Sequence, residues 1–451
     1  MLFALIIFSS GSRSYKKLPP SRSNVAFELI SCAITAIRKK CNGEKTLMNG
    51  DWMSLASPQH SQLTIQSLRS FLSVSLVFAP IILFWALFDQ KGSTWILLAR
   101  KLNYRIGGLN VIPEQINFLN PLLILILVPI FEGIVYPLAR KIVNVTPLRK
   151  MATGGILTAI SFIMCGLIQL EADRDQPPIL RQNQTILHYF NNESIFMGLY
   201  EGIVERDTLS NTLKERGINL TGENGEVEER GMVISRVQGR ISFCSFGNIK
   251  TSDGSKLIFM NDISNMTIHS SASLIISKSF KMCESLNLPS TLGEITIEWT
   301  CSKNIQCKSE SVATGIGSVQ AIQTHEDQLK TKTLVESNQL SIGWMFPQYV
   351  VITMGEVMLS VTGMEFACSQ STPSIRSLMQ ALWLMTVFLG NVLDAIISGS
   401  HFVSSAAREF FLYASLMLLV MVFFIISAAN YTYRPEMKNE IIENVEMSET
   451  K

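Results

Sequence analysis

Six apolar runs, near residues 72–90, 118–138, 151–170, 343–366, 377–398 and 410–430, constrain this chain more than any other feature. Each is close to the ~20 residues that an α-helix needs to cross a hydrocarbon core. Backbone polar groups at that depth must be satisfied within the segment, so the runs are read as helices rather than open strands. The whole sequence agrees. Of its 451 residues, 47% are hydrophobic and 16% charged, and the mean hydropathy is +0.27, too apolar for an ordinary soluble protein of this length.

Residues 172–340 differ, being rich in Ser, Thr, Asn, Glu and Lys. Within them Ile295, Ile297 and Trp299 alternate with polar residues, a period of two that predicts β-strands. The expected organisation is the end of a preceding helix and a cytosolic linker over 1–71, three spans over 72–171, and a β-rich lobe over 172–341. Three more spans over 342–431 and a cytosolic tail over 432–451 complete it.

Orientation follows from basic residues. Lys16, Lys17, Arg22, Arg38, Lys39 and Lys40 precede the first run, and Arg140, Lys141, Arg149 and Lys150 fill the turn between the second and third. Both segments are read as cytosolic, which puts the lobe outside. Lys91, Arg100, Lys101 and Arg105 oppose that threading, since it places them on the outer side. Four sequons in the lobe, at Asn183, Asn192, Asn219 and Asn265, support it. Cys244, Cys283, Cys301 and Cys307 also fall in the lobe, where an oxidising compartment permits two disulfides of unspecified pairing. Cys32, Cys41, Cys165 and Cys368 are expected to be free thiols. The apolar stub Met1–Phe8 is too short to span and reads either as the end of a helix or as a peripheral anchor.

Acids inside spans are costly, by about 2.5–3.5 kcal/mol each on insertion scales, which makes Asp89, Glu132, Glu356, Glu365 and Asp394 the functional candidates. Asp394 and Glu365 lie near helix ends, where headgroups or water are within reach. Glu356 lies near mid-membrane, and at 100° per residue Tyr349, Thr353, Glu356 and Ser360 share its face. Trp85, Phe88 and Asp89, at i, i+3 and i+4, likewise share one. Pro80, Pro121, Pro129, Pro137 and Pro347 allow bending. The formal net charge of +2 argues against a nucleic-acid partner. His60, His188, His269, His325 and His401 are scattered, and no metal-ligand spacing, nucleophile elbow or phosphate loop appears, so neither an enzyme nor a metal site is expected.

The strings FWALFDQKGSTW at 84–95, VPIFEGIVYPL at 128–138, FPQYVVITMGEVMLSVTGMEFACSQ at 346–370 and MQALWLMTVFLGN at 379–391 resemble the C-terminal half of animal-type proton-coupled oligopeptide transporters of the major facilitator superfamily. The resemblance implies an all-α membrane bundle corresponding to helices seven to twelve of twelve. The extracellular β-rich lobe inserted in it is expected to be an immunoglobulin-like sandwich. It further implies a multi-pass plasma-membrane protein that moves di- and tripeptides with protons as the coupling ion and without other cofactors. By position, Trp85, Phe88 and Trp383 match pocket walls, Asn120 and Glu356 the groups that hold the peptide's amino terminus, and Tyr349 a pocket tyrosine. Asp89, Glu132 and Glu356 match acids of proton coupling and gating. Two departures stand out: Ser73 occupies the place of a gating arginine, for which Arg69 is a substitute, and Lys91 stands where mammalian members have glutamine.

Two functions are therefore expected in turn. The first is peptide symport by an N-terminally truncated chain. The second is a non-transporting, membrane-tethered binding module or a partner for a missing half. Since the lobe is expected outside, endoglycosidase treatment should increase the electrophoretic mobility of the protein made in an animal cell. Replacing Asn183, Asn192, Asn219 and Asn265 together by Gln should abolish that shift.

Overall fold

In the computed structural model the described residues are 2–11, 25–42, 52–107, 109–174, 176, 180, 183–190, 201–215, 231–237, 240–246, 254–270, 273–289, 293–299, 309–325, 328–372, 375–398 and 405–433. The sequon residues Asn192 and Asn219, together with Cys301 and Cys307, lie outside them.

Two short helices come first, α1 (Leu2–Ser10) and α2 (Val25–Cys41). The first span is α3 (Gln62–Phe88), continued by a 3-10 turn at Asp89–Gly92 and α4 (Thr94–Arg100). α3 starts ten residues before the apolar run expected at 72 because Ser61 caps it, its hydroxyl accepting from the Thr64 N–H at 3.1 Å. The second span comprises α5 (Leu119–Ile130), a π-helical turn at Phe131–Val135 and α6 (Tyr136–Arg140). α7 (Pro147–Arg174) is the third. After the lobe, α9 (Met345–Glu356), a second π-helical turn at Val357–Val361 and α10 (Thr362–Ser369) form the fourth. α11 (Arg376–Ser398) and α12 (Ala406–Ala429) are the last two. All six are long and apolar enough to cross a membrane.

The helices share one apolar core in which Phe78, Phe84, Trp95, Phe162, Tyr349, Phe366 and Met417 are buried. Small residues set the closest approach, as is common between membrane helices. A Cβ on Gly355 of α9 would lie 2.6 Å from the Gly154 carbonyl and 2.6 Å from the Thr158 hydroxyl on α7.

The lobe holds one sheet more than the expected two-sheet sandwich. A short hairpin of β1 (Arg105–Ile106) and β2 (Leu109–Asn110) precedes it. The first lobe sheet contains β3 (Gln184–Tyr189), β4 (Gly202–Glu205), β5 (Gly231–Val237) and β6 (Arg240–Phe246) in the order β4-β3-β5-β6. α8 (Arg206–Glu215) follows β4. The second contains β7 (Gly254–Phe259), β10 (Ser285–Pro289), β13 (Val319–His325) and β14 (Gln328–Val335) in the order β10-β7-β13-β14. The third contains β8 (Ile263–Ser270), β9 (Ser273–Phe280), β11 (Glu294–Glu298) and β12 (Glu310–Ala313) in the order β12-β11-β8-β9.

The second sheet lies between the other two, and the period of two of its strands shows why. Leu257, Phe259 and Ile322 join Ile268, Ile295 and Trp299 in one core. Their neighbours Ile258, Met260 and Ala321 join Phe190, Val233 and Cys244 in another. The Cys244–Cys283 disulfide, closing a separation of 39 residues, ties the first sheet to the edge of the second.

The basic loop that opposed the threading has partners within the fold. Arg100 pairs with Glu114 at 2.6 Å and Lys101 with Asp173 at 3.0 Å. Arg105 donates to the Thr314 carbonyl of the lobe at 3.3 Å, where burial lowers its pKa. Backbone bonds between Asn103 and Leu340 (2.7 Å) and between Ile342 and Asn103 (2.8 Å) fasten the lobe's exit to the same loop.

Two outcomes follow. Gly355→Val should lower the midpoint of thermal unfolding of the purified protein, by the equivalent of about 1–3 kcal/mol for an overpacked contact. In the lobe, Glu201 accepts from Lys332 at 2.7 Å and lies 3.0 Å from His188 Nδ1. Burial pushes its carboxyl up, but the bonds from Lys332 and His188 outweigh that and hold it below its ordinary 4.5. Burial holds His188 below its ordinary 6.5. A depressed carboxyl stabilises the fold above its unfolded value and loses that as pH falls through its folded one; a depressed imidazole favours unfolding once pH falls below 6.5. Both act in one direction, so hydrogen exchange of β3 amides should accelerate on acidification from neutral pH.

Candidate functional site

The end of α3 carries Phe84, Trp85 and Phe88 on adjoining faces. Phe84 stacks on Phe88 with centroids 5.6 Å apart, and Trp85 meets Phe88 edge-on at 5.6 Å. Trp85 also meets Trp383 of α11 at 6.1 Å, so the first and fifth spans share an aromatic wall. Trp85 and Trp383 are both buried.

Polar pairs close the same seam one turn on. Gln90 Nε2 donates to Asp394 Oδ1, and Asn391, with its amide oriented to donate, faces Asp89 Oδ2. Asp394 is thus bonded across the helix interface rather than to headgroups.

Opposite lies the polar face of α9. The Tyr349 hydroxyl donates to Asn117 Oδ1 at 2.7 Å while its ring meets Trp95 edge-on at 4.9 Å. One turn on, the Thr353 hydroxyl lies 2.8 Å from Asn120 Oδ1 and 2.7 Å from the Tyr349 carbonyl. Asn120 Nδ2 in turn donates to Glu356 Oε2 at 2.9 Å. Lys91 reaches the same oxygen at 3.5 Å. Its ammonium stands 3.7 Å over the Phe88 ring, which joins the aromatic wall to the carboxylate. Ser360, expected on the stripe, lies past Glu356 inside the π-helical turn, where wider winding breaks the 3.6-residue phase.

The structure therefore brings together Trp85, Phe88, Asp89, Asn120, Tyr349, Glu356 and Trp383. Glu132 is not with them. It is exposed on the first π-helical turn, where Lys150 lies within electrostatic reach of both Glu132 and Glu365. Lys150 is buried, with its ammonium 3.7 Å over Tyr136. Lys150 of α7 was not foreseen as a neighbour of Glu132. Asn117, Trp95 and Asn391 were missed as well; each is an ordinary residue for a membrane helix, and its role comes only from its partner. Lys91, expected to add a charge at the outer end, turns inward. Of the sequon residues described, Asn183 and Asn265 are both exposed.

Among the described residues the Trp85 Nε1 at this site is buried without a hydrogen bond. Leaving such a group unpaired costs about 1–3 kcal/mol, which suits a site that offers a donor to a bound molecule. Among the described residues no His, Cys, Asp and Glu cluster could hold a metal ion.

A bundle of spanning helices with an aromatic wall and a bonded carboxylate in its interior is the build of a multi-pass membrane carrier. Comparison with known proteins names the family. The sequence profile of the POT family (PTR2) matches residues 1–222 and 311–413. Peptide transporter 3 of Caenorhabditis elegans is 37% identical, over 98% of this chain and 68% of its own. Solute carrier family 15 member 2 of Danio rerio is 30% identical, over 96% of this chain and 65% of its own. The crystal structure of the POT family transporter PepTSo is similar at 19% identity and a TM-score of 0.47, covering 95% of this chain and 63% of that one. The chain belongs to the POT family, whose members are transporters and not enzymes. It spans about two thirds of the length of these relatives.

Asn120 is the link whose loss should be most visible. Asn120→Leu removes the donor to Glu356 and the acceptor for Thr353. A dipeptide that raises the unfolding temperature of the wild type should raise that of the variant by less than half as much.

Proposed function

We propose that this protein moves di- and tripeptides across the plasma membrane together with protons, its six spans acting as the C-terminal bundle of the carrier. The observation that carries the reading is Glu356, a carboxylate on an apolar helix, bonded by Asn120 and linked through Lys91 to the aromatic wall of Phe88, Trp85 and Trp383. A peptide's α-ammonium fits that oxygen-rich corner. The unpartnered Trp85 Nε1 is suited to one of its carbonyls. The names of relatives that are peptide transporters support the substrate class.

Proton coupling follows from the same chemistry. An ionised carboxylate in a low-dielectric site holds an ammonium strongly, and a protonated one holds it weakly. Glu356 and Asp89 are the acids placed to alternate between those states at the pocket, and Glu132 is proposed as a gating acid at its separate cluster. For the lobe we propose an immunoglobulin-like origin for the second and third sheets, supported by the core they share. Nothing among the described residues favours a non-transporting binding module.

Glu356→Gln keeps the size of the side chain and removes its charge. Losing a charge-assisted hydrogen bond of about 1.5–3 kcal/mol should weaken uptake of alanyl-alanine roughly ten- to a hundredfold, measured in cells expressing the protein. Equal uptake by variant and wild type at every pH would refute the assignment.

A further inference from the structure

Lys91 is the one cation at the Glu356 corner among the described residues, and its placement is specific. It sits on the 3-10 turn Asp89–Gly92 that ends the first helix of the site. Its Nζ is 3.5 Å from Glu356 Oε2, the oxygen that also accepts from Asn120 at 2.9 Å. Its charge lies 3.7 Å over the Phe88 ring. The lysine and glutamate side chains are each largely buried, at 16% and 17% exposure. A long flexible chain carrying a primary ammonium thus fills the position where a substrate ammonium would be held by the same carboxylate, amide and aromatic face.

Resting on the proposed function, we infer that Lys91 is a tethered competitor at the amine-binding corner, so that peptide binding exchanges one ammonium for another at Glu356. Two ammonium groups cannot both take the shared oxygen without like-charge repulsion in a poorly solvated space. The lysine has somewhere to go. Asp89, two residues before it and itself flanked by Asp394, lies within electrostatic reach, and nothing crowds the neighbouring Gly92. The displaced charge therefore stays in the site and is offset there.

The consequence concerns specificity. A peptide with a free α-ammonium gains Glu356 only in the fraction of molecules where Lys91 has left it, and its apparent affinity falls by that fraction. An N-acylated peptide does not seek the carboxylate and is indifferent to Lys91. Lys91 thereby compresses the preference for free over N-acylated peptides.

The experiment measures binding of alanyl-alanine and of N-acetyl-alanyl-alanine to the purified full-length protein by calorimetry, in wild type, Lys91→Gln and Lys91→Arg. If Lys91 occupies Glu356 about nine-tenths of the time, Lys91→Gln should tighten alanyl-alanine about tenfold. N-acetyl-alanyl-alanine should change by less than about twofold, and Lys91→Arg should stay weak, because the guanidinium keeps the charge. Unchanged or weaker binding of alanyl-alanine by Lys91→Gln, when the wild type binds it, would overturn the competitor role and leave the peptide site standing. If neither folded protein binds a dipeptide, the reading of the corner as a peptide site fails, and the inference fails with it.

Discussion

A carboxyl group in the middle of an apolar helix is tolerable only where other polar groups bond to it, and the surroundings of Glu356 are organised around that need. Asn120 and Lys91 converge on one of its oxygens. Asn120 is itself fixed by Thr353, and Tyr349, one turn below, is fixed by Asn117. The second and fourth spans are thus joined through side chains rather than by apolar contact alone. The first span enters through Lys91 and Phe88. Glycines let the third and fourth spans meet at backbone distance near Gly154 and Gly355, the residue before Glu356.

The span that carries the carboxylate and the span that faces it each contain a π-helical turn, at Val357–Val361 and Phe131–Val135. Such turns cost regular hydrogen bonding and recur at functional sites. Here Phe131, Tyr136 and Val357 pack together between them, so the two irregular segments face each other. Glu132 sits on one and Glu356 immediately precedes the other, so each of the two separate charged clusters adjoins one irregular segment.

Much of this was legible in the sequence because it rests on short-range rules. Runs of about 20 apolar residues have one solution in a bilayer, and the 100° spacing placed Tyr349, Thr353 and Glu356 on one face. Trp85 and Phe88 were legible for the same reason. What could not be read depends on partners distant in the chain. The inward turn of Lys91 needs Glu356, 265 residues away. The pairing of Cys244 with Cys283 needs the stacking of two sheets, and the third sheet shows only when strands of period two are buried on both faces. The loop charges that oppose the threading show the same dependence: Arg100, Lys101 and Arg105 are held by Glu114, Asp173 and the Thr314 carbonyl, contacts that counting basic residues does not register.

The central claim is that Glu356 holds a substrate's ammonium. A cryo-electron microscopy structure of the full-length protein with alanyl-alanine bound would test it most directly. The expected result is an α-ammonium within hydrogen-bond distance of Glu356 and beside Asn120, with Lys91 moved off the carboxylate. A dipeptide bound elsewhere, with the Lys91–Glu356 pair intact, would contradict it.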